Sequence, residues 1–236
     1  MEKPQVIHEE DEYFIINKPP GYIVNEAKTT KGQPVVQTWV KENFEYTIAK
    51  SKEYRSGIVH RIDKETSGIL IIAKTKEAFE NIQGQFKKRK VKKTYLALAH
   101  GRVEIKEGKV NVPVGRQPWN RERFGVVPGG RNAETNYKVK GYYKKDKEEL
   151  TLLELYPKTG RTHQIRVHLK YLGHPIISDE FYAGRKTARK DRQWCPRLFL
   201  HAYGISFTHP KTEKQVDYTA ELSSDLKKAL KTTEKI

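Results

Sequence analysis

The five-residue run Ile69 to Ala73 is as long as any uninterrupted apolar run in this chain of 236 residues becomes. A helix crossing a bilayer needs about 20 apolar residues, so no membrane span is expected, and Met1-Glu2-Lys3 leads into no signal-peptide core. A compact β-branched run such as Gly68 to Lys74 suits a strand buried on both faces. Shorter strand-like runs recur along the chain with turns between them. Val6 to His8 and Tyr13 to Asn17 read as a hairpin, and Lys18-Pro19-Pro20-Gly21 stops its second strand because proline cannot donate to a ladder. Further strands are expected at Thr94 to Ala99, Lys109 to Val112, Thr135 to Val139, Leu150 to Leu155, Ile205 to Thr208 and Gln215 to Ala220. Helices are expected at Val35 to Glu42, after Thr75 with Phe79, Ile82 and Phe86 at helical spacing, and after Ser223 or Ser224. In Thr162 to Leu172, the residues Ile165, His168, Leu169 and Leu172 repeat at i, i+3, i+4 and i+7, and Gly173 follows as a stop signal, so a helix is preferred there too. Val114 to Arg131 is rich in Gly, Pro and Arg, lacks periodicity and reads as a long basic loop. Strands outnumber helices and no βαβ rhythm is sustained. The expectation is an α+β fold around a largely antiparallel sheet, in one domain covering 1–236.

With 46 Lys and Arg against 29 Asp and Glu, the chain carries a formal net charge of +17. A surface this basic attracts polyanions, and in a cytoplasm the usual polyanion is nucleic acid. The single cysteine, Cys195, excludes an intramolecular disulfide and a multi-cysteine zinc site, and points to a reducing cytoplasm. None of the eight histidines forms His-Glu-x-x-His. Glycine spacing fits neither a P-loop nor a dinucleotide fingerprint, so neither metal nor cofactor is implied.

Three clusters could carry chemistry. His60-Arg61-Ile62-Asp63-Lys64-Glu65-Thr66-Ser67-Gly68 is a charged segment placed directly before the buried strand. A carboxylate among cations is kept ionised by them, which makes Asp63 a candidate nucleophile or base; an aspartate that bonds its own backbone in a turn is the alternative. Lys158 to His168 runs from a turn into a helix start, where Arg161 and Arg166 could meet a phosphate or carboxylate, or merely solvate a capped terminus. Tyr95 shares its strand face with Ala97 and Ala99, leaving room for a flat partner such as a base, though an ordinary half-buried tyrosine would look the same. Lys87 to Lys93 adds a basic run suited to a phosphate track.

Taken in order, these clusters resemble the RluA-type family of RNA pseudouridine synthases. His60 to Gly68 is similar to the family's His-Arg-Leu-Asp-x-x-Thr-Ser-Gly signature, with Ile62 in place of Leu. Asn17 to Gly21, Lys93-Thr94-Tyr95, Thr159 to His168, Gly173 to Ile176, Leu200-His201-Ala202 and Phe207-x-His209-Pro210 fall in the family's order. The resemblance covers about residues 5 to 222. It implies a mixed, mostly antiparallel sheet with flanking helices and a central RNA-binding cleft. It also implies isomerisation of uridine in RNA: the N1–C1′ bond breaks, the uracil turns, and C5 joins C1′.

Carried over position by position, Asp63 matches the catalytic aspartate, Tyr95 the tyrosine packed on the target uracil, and Arg166 the basic partner of the aspartate. Arg61 matches the residue that takes the place of the flipped nucleotide. His60, Thr66, Arg161, Gln164 and Lys18, in the same motifs, are expected to bind substrate. Replacing Arg166 with Met is expected to leave folding nearly intact.

The chain is expected to act on RNA as a monomer, without metal or membrane. The substrate is expected to be large-subunit ribosomal RNA, with tRNA as the alternative. Many family members begin with an S4-type RNA-binding domain; here the catalytic core is expected to start within the first ten residues, so targeting falls to the core itself. A non-catalytic ribosome-assembly factor would explain the charge but has no use for the aspartate, tyrosine and arginine set. A metal-dependent nuclease needs clustered carboxylates, and none sit near these motifs.

Overall fold

The computed structural model describes residues 2–118 and 120–236; Met1, and Trp119 within the segment read as a basic loop, lie outside the described residues. The chain forms two compact units, Met1–Lys92 with Ala202–Glu221, and Lys93–His201 with Leu222–Ile236.

In the first unit, β1 (Gln5–Glu9) pairs antiparallel with β2 (Tyr13–Lys18), and β2 with β3 (Ser67–Ala73). The return strand β10 (Leu200–Thr208) follows β3 in the sheet order, and β11 (Gln215–Thr219) pairs antiparallel with β10. All of β3 is buried, as its β-branched composition demands. Gly68 there has φ +113°, and a Cβ would lie 2.2 Å from the Ala202 carbonyl oxygen; the signature's glycine is what lets the two backbones approach. The helix α1 spans Val36–Asn43. In α2 (Lys76–Lys87), the Thr75 hydroxyl accepts the Ala78 N–H at 3.1 Å, the cap its sequence position foretells. Phe79 and Ile82 of α2 pack with Tyr13, Ile15, Ile69, Ile71, Ile205 and Phe207 into the unit's core.

At the β1–β2 turn, Glu10 is a hydrogen-bonding hub. Its Oε1 meets His8 Nε2 at 2.5 Å and accepts the hydroxyls of Tyr13 and Tyr218 at 3.0 Å each. Its Oε2 meets His209 Nε2 at 2.7 Å. The backbone N–H groups of Lys211 and Thr212 donate to His209 Nδ1, which leaves the proton on Nε2 to donate to Glu10. Burial alone would raise the Glu10 pKa, but the hydrogen bonds from His8, His209, Tyr13 and Tyr218 overcome it and bring the carboxyl down to about 2. A carboxylate held below its unfolded value stabilises the fold above that value and loses the contribution as it protonates. Melting temperature measured against pH should therefore fall between about pH 4.5 and pH 2, and Glu10→Gln should be less stable at pH 7 and flatter across that window.

The second unit has the strand order β4 (Lys92–His100), β9 (Glu148–Pro157), β8 (Glu134–Lys145), β12 (Glu234–Lys235), with β5 (Glu107–Asn111) paired to β8. Its core gathers Leu98, Leu150, Leu153, Leu155, Leu169, Ile176 and Phe199. The helices are α3 (Gln164–Tyr171), α4 (Arg185–Asp191) and α5 (Ser224–Lys231).

The segment 114–131 corrects the expectation of a loop. It is a two-stranded antiparallel ribbon, β6 (Val114–Gln117) and β7 (Asn120–Val126). Its apolar anchors are few: Val114 and Phe124 pack with Ala133, Val167 and Tyr182, too sparse a pattern to read as alternation. Val114 also exchanges backbone hydrogen bonds with Arg131, and a Cβ on Gly130 would sit 3.0 Å from the Val114 carbonyl carbon. The glycines mark a tight crossing, not flexibility. The strand expected at Thr135 to Val139 runs on to Lys145. Neither α4 nor β12 was foreseen: α4 buries only Ala188 and Asp191 and has no apolar stripe, and β12 is two residues long.

Candidate active site

The signature residues divide between the units, with Lys18, His60, Arg61, Asp63 and Thr66 in the first and Tyr95, Arg161, Gln164 and Arg166 in the second. In the first unit the segment after Ile58 enters β3 through a turn in which the Thr66 N–H donates to the Asp63 carbonyl at 3.2 Å. Arg61 is exposed and Asp63 is half-buried. The turn is fastened from below. Gly21 N–H donates to the Lys64 carbonyl at 2.9 Å, and the Lys18 ammonium donates to the same oxygen at 3.0 Å.

Lys18 was expected to touch substrate. Its side chain is wholly buried, and its ammonium donates to the carbonyls of Pro19 at 2.9 Å, Tyr22 at 3.0 Å and Lys64. Three N–H bonds facing three carbonyls make it a clamp on the Asp63 turn. Lys18→Met should orphan the Pro19 and Tyr22 carbonyls and leave the Lys64 carbonyl with the Gly21 N–H alone, destabilise the protein on the order of 3 kcal/mol and speed hydrogen exchange at the Thr66 amide, measured by mass spectrometry.

His60 likewise engages the fold. Its Nε2 accepts the Ile71 N–H at 3.1 Å, and its ring stacks on Phe86 with centroids 4.7 Å apart. Thr66 is buried, and its hydroxyl has no hydrogen-bond partner among the described residues. A buried hydroxyl left so is a group that a ligand can satisfy.

In the second unit Tyr95 lies on β4 opposite Leu155 of β9, partly buried against the core. Lys93, two residues earlier and so on the same strand face, donates to the Thr159 carbonyl at 3.4 Å, and burial lowers its ammonium to about 8. Gln164 was expected to bind substrate, yet its amide is engaged on all sides. Its Oε1 accepts the Thr159 hydroxyl at 2.7 Å and the Arg161 N–H at 3.0 Å. Its Nε2 donates to the Glu134 carbonyl and the Thr135 hydroxyl, both at 2.9 Å. Gln164 ties the entry of α3 to β8. Arg161 reaches the Asn132 carbonyl through Nε at 3.1 Å. His163, the residue before α3, holds φ +56°, a left-handed conformation unusual for a side-chain-bearing residue.

Arg166 has a partner that sequence reading missed. Its Nε and Nη2 donate to Asp179 Oδ2 and Oδ1 at 2.7 and 2.8 Å, a two-pronged pair with both side chains buried. The guanidinium also lies over Tyr182 at 5.0 Å and Phe181 at 5.4 Å. Asp179 stands three residues beyond the Gly173 to Ile176 motif, and its burial was the missing signal. The expectation that Arg166→Met leaves folding intact is overturned, because that change strands the Asp179 carboxylate in the interior.

A family model described as RNA pseudouridylate synthase matches residues 12–171. An uncharacterized RNA pseudouridine synthase of Chloroflexus aurantiacus is 37% identical over 215 residues, covering 91% of this chain and 65% of that protein. Ribosomal large subunit pseudouridine synthase D of Neisseria meningitidis serogroup B is 35% identical over 232 residues, 94% of this chain and 59% of that protein. Ribosomal large subunit pseudouridine synthase C of Vibrio parahaemolyticus is 37% identical over 227 residues, 95% and 68% respectively. The chain thus spans roughly two thirds of the length of these relatives. Among solved structures, human RNA pseudouridylate synthase domain containing 1 superposes with a TM-score of 0.75 at 22% identity, over 99% of this chain and 89% of that one. Human RNA pseudouridylate synthase domain containing 4 gives 0.72 at 23%, over 97% and 93%. These likenesses identify the α+β fold as the pseudouridine synthase fold. With the signature motifs in order, the family model matched across residues 12–171 and relatives above 30% identity over most of the chain, this protein belongs to the RluA-type family of RNA pseudouridine synthases.

Proposed function

We propose that this chain isomerises uridine to pseudouridine in large-subunit ribosomal RNA. The observation that carries the proposal is the Asp63 turn, a half-buried carboxylate on a backbone fastened by Lys18 and Gly21, in a chain whose named relatives include large-subunit synthases C and D. In this reading Asp63 meets the ribose as N1–C1′ breaks, Tyr95 packs on the uracil, and Arg166 is the basic residue that the reaction requires. The uracil turns, C5 joins C1′, the C5 proton leaves and N1 gains one; reactant and product are isomers, so no co-reactant is consumed. Thr66, with its unmatched buried hydroxyl, is assigned a hydrogen bond to substrate. Arg61, exposed beside Asp63, fills the space of the flipped nucleotide, whose extraction costs a few kcal/mol.

The test is to incubate the protein with unmodified large-subunit ribosomal RNA and bulk tRNA transcripts and to map pseudouridine at single-nucleotide resolution. A defined site in the ribosomal RNA supports the proposal; a site in tRNA alone moves the substrate, and none in either overturns it. Exposed Lys87, Lys88, Arg89 and Lys90 at the end of α2 suit backbone phosphates. Affinity for RNA should accordingly fall steeply with salt, with a log–log slope of about −0.7 to −0.9 per phosphate neutralised, measured by anisotropy titration.

A further inference from the structure

Among the described residues two aromatic side chains are exposed, Tyr171 at 57% and Phe181 at 40%. Phe181 sits among cations. The Arg166 guanidinium lies 5.4 Å from its ring centre and that of Arg123, on the ribbon strand β7, 5.9 Å. The His163 ring is 5.9 Å away, centroid to centroid.

The exposure is imposed by the turn that carries the ring. Asp179 Oδ1 accepts the N–H groups of Phe181 at 3.1 Å and Tyr182 at 3.2 Å, while Arg166 grips the same carboxylate. The Ala183 N–H closes the turn on the Asp179 carbonyl at 2.8 Å. Next along the chain, Tyr182 is buried; its hydroxyl accepts the Phe124 N–H at 3.3 Å and shares a hydrogen bond with His163 Nδ1 at 2.9 Å. The turn therefore sets the direction in which the Phe181 side chain leaves the backbone. An exposed aromatic on a hydrogen-bonded turn, flanked by guanidinium groups on a chain of net charge +17, is the arrangement that stacks an unpaired base while cations take the adjoining phosphates.

We propose that Phe181 is a stacking platform for an unpaired base of the RNA substrate, with Arg123 at a neighbouring phosphate. This rests on the RNA-modifying reading above, and the test keeps the two apart.

The intact protein is titrated with a fluorescently labelled 12-nucleotide oligouridylate and with an abasic oligonucleotide of the same length and charge. Phe181→Ala should weaken oligouridylate binding by about 5- to 100-fold, the range for loss of one base–aromatic stack, and leave the abasic oligomer unchanged. Tyr171→Ala should change neither. Phe181→Trp should keep the affinity and show indole emission quenched by oligouridylate but not by the abasic oligomer. Equal weakening of both oligomers by Phe181→Ala would show that the ring only supports the Arg166 turn and would overturn the proposal, as would no weakening of either. If wild type forms no pseudouridine while the base-dependent loss at Phe181 is seen, the enzyme reading fails and the stacking platform stands. If pseudouridine forms and the oligomers are not discriminated through Phe181, the platform alone fails.

Discussion

Asp63→Ala is expected to lower pseudouridine formation by at least about four orders of magnitude, the scale seen when a reacting side chain is removed from an enzyme whose other groups act with it. The protein should stay folded. Asp63 is half-buried, and the turn around it is held by backbone atoms that alanine retains: the Asp63 carbonyl, the Lys64 carbonyl and the donors from Thr66, Gly21 and Lys18. Stability should shift by about 1 kcal/mol or less. Single-nucleotide pseudouridine mapping and a thermal melt on one preparation check both halves. A variant that is inactive because it is unfolded, or folded and fully active, would contradict the assignment of Asp63.

Arg166→Met is expected to behave differently, with loss of activity and loss of stability together. Removing one member of a buried ion pair costs about 3 to 5 kcal/mol, because the remaining charge is left in the interior without its counter-charge. Here the remaining charge is Asp179, whose second contribution is to hold the N–H groups of Phe181 and Tyr182. Arg166→Lys should also lose stability, since a single ammonium cannot reproduce the two-pronged contact. The double variant Arg166→Met with Asp179→Asn should recover most of the stability: the asparagine oxygen still accepts from the turn and the stranded charge is gone. Activity should not return with it. Chemical denaturation of the two variants, set beside pseudouridine mapping, separates the structural half of the arginine's contribution from the chemical half. Recovery of both together would mean that Arg166 matters only for folding.

The elements legible from sequence were those whose signal is local. The Gly68 to Lys74 run declared a doubly buried strand, and Thr75 followed by helical spacing declared α2 with its cap. For α3 the helix was readable but its setting was not. Four positions were expected on one stripe, whereas every residue from Gln164 to Leu169 is buried, because α3 packs against β7 as well as β8 and β9. The ribbon 114–131 escaped because its core is two side chains, and of the residues they meet Val167 and Tyr182 lie more than 40 positions away. At the candidate site, motifs identified which residues to watch, yet residue type could not say which way a polar side chain points. Lys18 and Gln164 look like ligand-binding groups in a linear chain; in the fold their hydrogen bonds close on carbonyls, hydroxyls and an amide of the protein itself. Asp179 looked like an ordinary turn residue until Arg166 was found against it.

Lys18 also supplies a chemical reporter. Acylating reagents attack an amine that they can reach, and one enclosed by three carbonyl oxygens is out of reach until those bonds open. The exposed lysines at 87, 88 and 90 will react from the first seconds. Modification at Lys18, followed by peptide mass spectrometry, will proceed only through the fraction of molecules in which the Asp63 turn has come away. Its rate relative to an exposed lysine measures the local opening equilibrium, and a bound RNA that immobilises the turn will slow it.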